Sequence, residues 1–356
     1  MTPRPRVVIV APSLDILGGQ GVQAQALAYG LRADGFPVDF VAVNPRFPRG
    51  LRWVRRYPGV RTILNQALYV PALRRLRRGD VVHVFSASYW SFLLAPVPAM
   101  LAAHLAGARV VLNYHSGEAD DHLGRWGALV HPWLRLADEI VVPSAYLRDV
   151  FARHGYRARV IPNVVHLVRF RYRERPPLRP RLVSSRNLEA YYRIDTTLEA
   201  FARVATRYPQ ATLTVAGYGS LEPSLRRLAR SLGCDGVRFV GRVEPPAMPR
   251  LYDEADVFLN ASVLDNQPVS ILEAFASGLP VVSTPTGAIA SMVRDGETGL
   301  VVPPADPAAM AKAVMRLLED DELARDVARR ARDEAEAFTW PRVRRQWADV
   351  YTAGAA

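Results

Sequence analysis

Short apolar runs alternate with amphipathic segments along almost the whole chain, and this alternation limits the fold more than any other feature. The run at 6–13 (RVVIVAPS) is rich in β-branched residues, and a glycine-rich loop at 15–21 and an amphipathic stretch follow it. Such runs are typical of strands that are buried on both faces of a parallel sheet, because crossover helices cover both faces. The alternation therefore predicts an α/β protein with parallel sheets.

The alternation falls into two series of similar length. Strands of the first series are predicted near 6–13, 38–43, 80–85, 109–114 and 139–142. Strands of the second series are predicted at 181–187, 211–217, 237–241, 256–262, 280–284 and 299–302. The 356 residues also exceed the length at which a single core usually stops growing. We therefore predict two doubly wound Rossmann-like domains, at 1–168 and 181–338, an Arg/Pro-rich linker at 169–180 and a last helix within 339–356.

The excess positive charge is confined to the first half of the chain. Residues 1–178 carry 24 arginines against 11 acidic residues, and 46–78 contains ten arginines and no acid. Apolar side chains are interleaved with these arginines, namely Phe47, Leu51, Trp53, Val54, Tyr57, Leu68, Tyr69, Val70 and Leu73. The simplest interpretation is a solvated basic face. The pattern also suits an anionic membrane surface or an anionic acceptor. Nucleic acid is not expected, because no helix-turn-helix, zinc-finger or RNA-binding signature is present.

Three features bear on the compartment. The single cysteine, Cys234, excludes a disulfide framework and fits a reducing compartment. The first ten residues lack the long apolar core of a signal peptide. The apolar segment 86–107 approaches the length of a membrane span, but Pro96, Pro98 and His104 interrupt it, so a buried crossover helix is favoured. We expect a cytoplasmic protein, or one that the basic segment holds at the inner face of the cell membrane.

Residues 265–300 combine a helix start with two carboxylates. Asp265 and Glu273 lie eight positions apart, Pro268 suits the first helical position, and Asp265 or Asn266 suits the cap before it. Such a helix start presents free N–H groups and the positive end of the dipole, which favours a phosphate. The spacing does not fix the carboxylates at the ~5–10 Å of a glycosidase pair. A capped helix with a surface glutamate explains the pattern equally well.

The same run resembles the E-x7-E motif of the retaining glycosyltransferases of family 4, which have the GT-B fold. The matching positions are Pro268, Glu273, Ala274, Ala276, Gly278, Pro280, Val281 and Val282. The chain differs at Asp265, where the family has Glu, and at Asn266, where Gly is usual. The resemblance implies two Rossmann-like domains facing a cleft, with the last helix crossing back to the first domain.

The resemblance also assigns residues to a nucleotide-diphospho-sugar donor. It implies that Glu273 holds the ribose and that Asp265 contacts the sugar, while the helix start faces the diphosphate. Donor contacts on this run would be Asp265, Asn266, Gln267, Pro268, Val269, Ser270 and Glu273. Arg186 matches the phosphate-binding arginine of the family, and an always-charged forked donor suits a diphosphate. The family's lysine a few residues further on is absent, so Arg193 or the hydroxyls of Tyr191 and Tyr192 would replace it.

Other positions extend the resemblance along the chain. Gly18 and Gly19 form a glycine-rich turn that is either a tight turn or, as in the family, a contact to the donor diphosphate. His115 corresponds to a histidine that contacts the donor sugar, although a lone histidine is more often structural. Gly217 corresponds to a turn near the nucleotide, Arg242 and Val243 to the lining of the base pocket, and Asn163 to an interdomain motif.

Together these features predict a metal-independent, retaining glycosyltransferase with Asp265, Glu273, His115 and Arg186 as catalytic residues. No cofactor is expected beyond the nucleotide-sugar co-substrate. A metal site has no support, because no D-x-D triplet occurs and the acids and histidine at 118–122 lack ligand spacing. The acceptor would be a glycan, a lipid-linked sugar or a small molecule in bacterial polysaccharide synthesis, bound by the basic first domain.

Two alternatives remain at this point. The first is a catalytically weakened relative that binds nucleotide-sugar or glycan without transfer, which Asp265 and the absent lysine suggest. The second is a Rossmann-type dehydrogenase, which the absence of a GxGxxG motif makes the less favoured of the two.

Overall fold

The computed structural model describes residues 4–13 and 18–353 and contains two compact units. The first unit comprises Met1–Pro162 together with Val343–Ala356, and the second comprises Asn163–Arg342. The division after Pro162 lies ahead of the expected end of the first domain at residue 168. The segment 169–180, expected as a linker, belongs to the second unit.

The first unit contains a parallel sheet of six strands in the order β2-β1-β3-β4-β5-β6. The strands are β1 (Val7–Ala11), β2 (Val38–Ala42), β3 (Val81–Ser86), β4 (Arg109–Tyr114), β5 (Glu139–Val142) and β6 (Arg159–Val160). Every residue of β1 and β3 is buried, as expected for strands covered on both faces. The strand order reverses between β1 and β3. The strand after β1 in the chain lies toward one edge of the sheet, and the strand after β3 lies toward the other, so the switch point is between β1 and β3.

The helices of the first unit cover the sheet and supply its core residues. They are α1 (Gly19–Ala33), α2 (Pro58–Ala72), α3 (Trp90–Leu94), α4 (Pro96–Leu105), α5 (Ala119–Arg125), α6 (Gly127–Leu134) and α7 (Ala145–Arg153). Because α1 starts at Gly19, residues 19–21 are helical and not part of the expected loop, whose residues 15–17 lie outside the described residues.

The apolar segment 86–107 forms two helices and not the single crossover helix that the sequence suggested. α3 ends before Ala95, and Pro96 is the first residue of α4. Proline lacks an N–H group and disfavours helical geometry at the residue before it, so the helix breaks there. Within the part of the chain that the structure describes, no helix is long and apolar enough to cross a membrane.

The basic segment 46–78 contains a 3₁₀ helix at Arg49–Arg56 and then α2. Its apolar side chains divide between core and surface. The buried ones are Phe47, Val54, Tyr69, Leu73 and Leu76, and the exposed ones are Leu51, Trp53, Tyr57, Val60, Ile63 and Val70. Trp53 is 60% exposed and Ile63 is 73% exposed. The segment therefore presents apolar as well as basic groups to solvent.

The second unit contains another parallel sheet of six strands, in the order β12-β11-β10-β7-β8-β9. The strands are β7 (Arg181–Ser185), β8 (Thr212–Ala216), β9 (Val237–Gly241), β10 (Val257–Asn260), β11 (Val281–Ser283) and β12 (Leu300–Val301). The first strand of the unit, β7, lies in the middle, with β8 on one side and β10 on the other. This is a doubly wound order whose switch point lies between β7 and β10.

The helices of the second unit lie on both faces of its sheet. They are α8 (Ile194–Arg207), α9 (Glu222–Ser231), α10 (Met248–Asp253), α11 (Val269–Ala276), α12 (Ile289–Met292), α13 (Pro307–Glu319) and α14 (Asp321–Ala335). Successive strand residues enter different core clusters, since Leu182 packs in one and Val183 in the other. This alternation is the period of a strand covered on both faces. Both predicted domains are therefore Rossmann-like.

The Arg/Pro-rich segment 169–180 packs tightly on the second unit. Phe170 is buried in the core beside Tyr252, with ring centroids 5.9 Å apart. The buried guanidinium of Arg175 donates through Nε to the carbonyl of Ala255 at 2.9 Å. Arg179 forms an ion pair with the buried carboxylate of Asp256 at 2.7 Å. These arginines therefore hold the segment to the second unit.

The last helix, α15 (Trp340–Thr352), is assigned to the first unit from Val343 onward. Its apolar residues Val343, Trp347, Val350 and Tyr351 are buried. The Tyr351 hydroxyl lies 2.8 Å from Nδ1 of His83 in the middle of β3, and the Trp347 ring packs on the same imidazole. Burial lowers the pKa of His83 to about 3, so this ring is neutral. The helix thus completes the first unit's core.

Candidate functional site

The switch point of the second sheet brings two predicted site residues together. Arg186 follows the last residue of β7, and Asp265 lies in the loop after β10. The two strands are neighbours, with Val183 paired to Phe258. Their carboxyl ends therefore open at the same edge, where ligands bind in doubly wound sheets.

Arg186 is held by three side chains at this edge. One Nη atom forms an ion pair with Asp265, and the other donates to the hydroxyl of Ser270 at 3.0 Å. The guanidinium carbon lies 4.2 Å from the centre of the Tyr192 ring, which is a cation–π contact. Both members of the ion pair are largely buried, with side chains 9% and 12% exposed. The Nε atom is buried and has no partner among the described residues.

The helix after this loop starts one residue later than the sequence suggested. α11 begins at Val269, and Pro268 is the cap residue with an extended backbone, so the prediction of a cap at Asp265 or Asn266 is wrong. Asp265 instead accepts a hydrogen bond from the N–H of Asn266 at 2.9 Å. The short Asp side chain reaches the adjacent amide and Arg186, and not the first turn of the helix.

The helix start leaves two backbone donors for a ligand. Pro268 has no N–H group, and the N–H of Ile271 donates to the carbonyl of Pro268 at 3.1 Å. The N–H groups of Val269 and Ser270 have no acceptor among the residues that the structure describes. The predicted diphosphate contact at the helix start is thereby reduced to the amides of Val269 and Ser270 beside Arg186, in a position that favours an anion.

Gln267 and Asn266, both predicted donor contacts, are buried. The side-chain oxygen of Gln267 accepts from the N–H of Asn163 at 2.6 Å. The amide nitrogen of Asn163 donates to the carbonyl of Gln267 at 2.9 Å. Gln267 therefore supports the loop in this structure, and Asn163, noted as part of an interdomain motif, is its partner.

Glu273 lies one turn further along α11, and the hydroxyl of Tyr252 contacts its carboxylate. The Tyr252 hydroxyl donates to Oε2 of Glu273 at 2.8 Å and lies 2.8 Å from the hydroxyl of Ser185. Burial raises the pKa of Glu273 to about 7, and the hydrogen bond from Tyr252 opposes that rise. The carboxyl group therefore changes its charge near neutral pH.

Arg193 does not join the Arg186 cluster in this structure. Its backbone is left-handed, with φ 47°, and its guanidinium forms an ion pair with Asp195 at 2.9 Å. Tyr192 occupies the space beside Arg186 instead, and burial raises the pKa of its hydroxyl to about 12. Where the family pattern has a second cation, this chain places a neutral aromatic ring.

Two glycines are required by close backbone contacts in this site. A Cβ atom on Gly217, where φ is +151°, would lie 2.1 Å from the carbonyl oxygen of Arg186. A Cβ atom on Gly287, where φ is +56°, would lie 2.1 Å from the carbonyl oxygen of Asp265. Gly217 was predicted as a donor contact, and the structure shows that it supports the loop that carries Arg186. Gly287 was missed, although a glycine shortly after a strand is a usual signal of close backbone approach.

Arg242 and Val243 follow directly after β9. Arg242 forms an exposed ion pair with Glu244 at 2.9 Å, and Val243 is partly buried. Their proposed contact with the base stays a prediction. Tyr252 and Ser185, by contrast, were not identified from the sequence, because a tyrosine in a short helix and a serine at a strand end carry no recognisable motif.

His115 lies at the end of β4 in the first unit. Its ring stacks on Phe85 with centroids 5.1 Å apart, and its backbone N–H donates to the carbonyl of Ser86 at 3.1 Å. The same carbonyl accepts from the side chain of Gln20, next to Gly19, at 3.1 Å. Burial lowers the pKa of His115 to about 3, and Nε2 has no partner among the described residues. His115 is thus a neutral hydrogen-bonding group.

A cavity of about 490 Å³ opens in the first unit at the carboxyl ends of β1, β2 and β3. Its polar lining includes Gln20, Asn44, Asn65, Gln66 and Arg61. Apolar residues such as Phe47 and Phe85 complete the wall. Amide groups with one guanidinium suit a hydroxyl-rich ligand with or without a negative charge.

Two of the acidic residues at 118–122, Asp120 and Asp121, are paired with neighbouring side chains. Asp120 pairs with Arg153 at 3.2 Å and with His154 at 3.1 Å. Asp121 accepts from Tyr89 at 2.6 Å, and Nδ1 of His122 lies 2.9 Å from the Tyr114 hydroxyl. Within 4–13 and 18–353, no group of three or more acidic, histidine or cysteine side chains could hold a metal ion.

Comparison with protein families matches both units to glycosyltransferase models. The model described as "Glycosyltransferase Family 4" matches residues 17–169, and the model described as "Glycosyl transferases group 1" matches residues 179–320. A glycogen synthase of Mycobacterium tuberculosis is 31% identical over 293 residues, which is 78% of this chain and 69% of that one. A phosphatidyl-myo-inositol mannosyltransferase of Mycolicibacterium smegmatis is 27% identical over 377 residues, 97% of this chain and 93% of that one.

Solved structures share the fold. The sucrose-phosphate synthase of Thermosynechococcus elongatus has a TM-score of 0.76 at 21% identity and covers 98% of this chain and 99% of its own. HepE of Anabaena, solved with UDP and glucose, has a TM-score of 0.74 at 17% identity over 98% of this chain and 100% of its own. These similarities establish the GT-B class of the fold.

Proposed function

Because the chain belongs to the family 4 glycosyltransferases with the GT-B fold, we propose that it transfers a sugar from a nucleotide-diphospho-sugar with retention of configuration and without a bound metal ion. The observation that carries this proposal is the cluster of Arg186, Asp265 and Ser270 at the start of α11, with Glu273 on the same helix. Membership of the family also removes the dehydrogenase alternative.

In this proposal the second unit binds the donor. The diphosphate accepts from Arg186 and from the N–H groups of Val269 and Ser270, and these fixed donors stabilise the charge that builds on the leaving diphosphate. Glu273 accepts from the ribose hydroxyls, and Asp265 accepts from the sugar. A uridine nucleotide is the first donor to test, because HepE was solved with UDP and with UDP-glucose.

The diphosphate competes with Asp265 for the same guanidinium. Arg186 already forms an ion pair with Asp265 in the structure, and the family's lysine has no counterpart beside it. Binding of the donor therefore exchanges one anionic partner of Arg186 for another, and the freed Asp265 becomes available to the sugar. This exchange separates transfer from the alternative function, that of a relative that binds the donor without transferring the sugar.

A panel of nucleotide-sugars incubated with the full-length protein and a candidate acceptor tests the proposal. The expected result is release of nucleoside diphosphate that persists in EDTA, with a product whose anomeric proton coupling in NMR matches the donor's configuration. Donor binding without release across all acceptors would support the binding-only alternative, and an inverted product would overturn retention.

We assign the acceptor to the first unit's cavity, whose amide groups and Arg61 suit a hydroxyl-rich molecule. The acceptor class comprises glycans, lipid-linked sugars and small polyols. The relatives include enzymes named for phosphatidyl-myo-inositol and for D-inositol 3-phosphate, so phosphorylated inositols are the first acceptors to test. Substitution of Asn65 by alanine should raise the acceptor KM and leave the donor KM unchanged.

We further propose that the basic segment 46–78 docks on an anionic membrane surface. It presents Trp53, Tyr57 and Ile63 to solvent within a stretch of the chain rich in arginine and free of acids. Exposed aromatic and aliphatic groups among cationic ones match the boundary of an anionic bilayer. Residues Arg61 and Asn65 of the same helix line the cavity, so a lipid-linked acceptor would present its head group beside the docking surface.

Sedimentation with vesicles of phosphatidylcholine, with or without phosphatidylglycerol, tests this docking. The protein should sediment with the anionic vesicles, and Ile63→Ser should reduce the bound fraction several-fold. Leu105→Ser is the matched control, because Leu105 is an equally exposed aliphatic residue outside the segment, at 77%. Equal and negligible sedimentation with both vesicle types would remove the membrane from the proposal.

A further inference from the structure

Tyr252 is a fully buried tyrosine of the second unit, and its hydroxyl group lies between two polar side chains. Its ring lies in the apolar core, with centroids 5.9 Å from Phe170 and 6.1 Å from Phe258. A phenylalanine would fill this core space equally well, whereas a buried phenol needs polar partners. The partners here are the hydroxyl of Ser185 and the carboxylate of Glu273.

The hydrogen bond from Tyr252 orients the carboxylate of Glu273. Oε2 of Glu273 accepts from the Tyr252 hydroxyl at 2.8 Å, while Oε1 has no hydrogen-bond partner in the described part of the chain. The Tyr252 hydroxyl has one proton, which it donates to Glu273, so it accepts the proton of Ser185. The direction of both bonds is thereby set, and one carboxylate oxygen stays available.

The other end of this chain of hydroxyls is the strand that carries Arg186. Ser185 is the last residue of β7, and Arg186 follows it directly. The same strand end therefore fixes the guanidinium that faces the start of α11 and, through Tyr252, the carboxylate one turn further along α11. The end of β7 is thus connected both to the expected diphosphate contact and, through Tyr252 on α10, to the expected ribose contact.

We propose that Tyr252 is a positioning residue for the donor, which holds Glu273 so that its free oxygen accepts from the ribose hydroxyls. This inference rests on the proposed function, because it requires a nucleotide at the switch point. The proposal adds a residue outside the E-x7-E run to the donor site. It also assigns the preference for ribose over deoxyribose to the hydrogen-bonded series Ser185, Tyr252 and Glu273.

The experiment measures binding of UDP, GDP and ADP, and of their 2′-deoxy forms, to the full-length protein by calorimetry. The wild-type protein should prefer the ribonucleotide by about tenfold, the value of a hydrogen bond to a charged group. In Tyr252→Phe the preference should fall to about twofold, with binding of the 2′-deoxy form unchanged. Ser185→Ala should reduce the preference to an intermediate value.

Tyr69→Phe is the matched control, because Tyr69 is also fully buried and its hydroxyl donates a single hydrogen bond, to Ala95 at 2.7 Å in the first unit. It should keep the wild-type preference. Equal weakening of both nucleotide forms in Tyr252→Phe, or an unchanged preference in both Tyr252→Phe and Ser185→Ala, would overturn the positioning role while the proposed function stands. Absence of any nucleotide binding by the wild-type protein would overturn both.

A loss of folding in Tyr252→Phe would appear as a lowered thermal unfolding midpoint. In that case Ser185→Ala tests the positioning role, because it removes the hydroxyl that contacts Tyr252 and leaves the buried Tyr252 ring in place. A second measurement separates positioning from structure. The pH at which the donor KM changes should move upward in Tyr252→Phe, because the hydrogen bond that lowers the pKa of Glu273 is gone. A merely structural role would leave that pH unchanged.

Discussion

The glycine turns of the two units look alike in sequence and differ in what surrounds them. In the second unit, a Cβ atom on Gly217 would meet the carbonyl oxygen of Arg186 at 2.1 Å. In the first unit, Cβ atoms on Gly18 and Gly19 would meet no described atom within 4 Å, and Gly18 has an extended backbone that any residue adopts. The second turn requires glycine because its backbone contacts the backbone of Arg186, whereas no described contact requires glycine at Gly18 or Gly19.

The side chains near the two turns differ in the same way. Arg186 is engaged by Asp265, Ser270 and Tyr192 within the second unit. His115 in the first unit keeps a buried Nε2 without a partner among the described residues. A buried polar atom without a partner is costly unless a ligand supplies one. Arg186 also keeps a buried Nε atom without a described partner, so both units hold a group that is open to a ligand. The second unit differs in that the two Nη atoms of Arg186 are already engaged by Asp265 and Ser270.

Removal of Arg186 should produce the largest effect, because the site of the second unit depends on its charge. Arg186→Ala should lower kcat/KM for nucleoside diphosphate release by about 10³-fold, since a fixed cation at the leaving group is lost. Arg193→Ala is the control, because Arg193 pairs with Asp195 instead, and it should lose less than about fivefold. A larger loss in Arg193→Ala than in Arg186→Ala would reverse the assignment of the phosphate arginine.

The glycine comparison itself predicts a large difference in stability. Gly217→Ala should lower the free energy of unfolding by about 2–4 kcal/mol, because the added methyl group overlaps a backbone carbonyl and the residue has φ +151°. Urea denaturation measures the change. Gly18→Ala should leave stability within about 0.5 kcal/mol and instead weaken donor binding, if a ligand approaches this turn. Unchanged donor binding in Gly18→Ala would remove Gly18 from the donor contacts.

Opening the Asp265 ion pair should separate binding from transfer. In Asp265→Asn, nucleoside diphosphate should bind about 3–10-fold more tightly, because the amide no longer competes for Arg186. The transfer rate should fall by about tenfold or more, because the sugar loses a charged acceptor. Calorimetry and product release measure the two effects. A parallel loss of binding and transfer would show that Asp265 holds Arg186 in place and does not compete with the diphosphate.

The smallest predicted effect concerns pH and contrasts the titratable groups of the two units. Burial raises the pKa of Glu273 to about 7, so its carboxylate is ionised above that pH and protonated below it. The donor KM should therefore rise by about tenfold from pH 8 to pH 6. The pKa of His115 lies at about 3, so this ring stays neutral over the range and adds no change. Glu273→Gln should bind weakly with a flat profile.

The sequence was sufficient for most of the strands and insufficient for the contacts between the elements. Strand and helix positions follow from apolar periodicity, which is a local signal, and both sheets contain the predicted strands. The break at Ala95 and the cap at Pro268 depend on backbone geometry at single residues, where periodicity gives no information. The segment 169–180 suggests a linker because it is rich in arginine and proline and lacks apolar periodicity, yet Arg175 is buried against backbone carbonyls.

The candidate site shows the same limit. Arg186 and Asp265 are 79 residues apart and meet only because β7 and β10 are neighbours at the switch point. The family resemblance supplied both residues, but it could not indicate that they pair with each other. Tyr252 and Gly287 entered from the structure alone, because their roles depend on which atoms lie opposite them in space.

The position of helix α15 has a consequence for how the protein is made. The residues that fill the core beside His83 come from the end of the chain, after the whole second unit. During synthesis on the ribosome, the second unit can therefore fold before the first one is complete, although domains usually fold in the order in which they emerge. Until α15 is synthesised, the first unit has an uncovered apolar face. The nascent protein is therefore most exposed to aggregation and to chaperone binding at this stage.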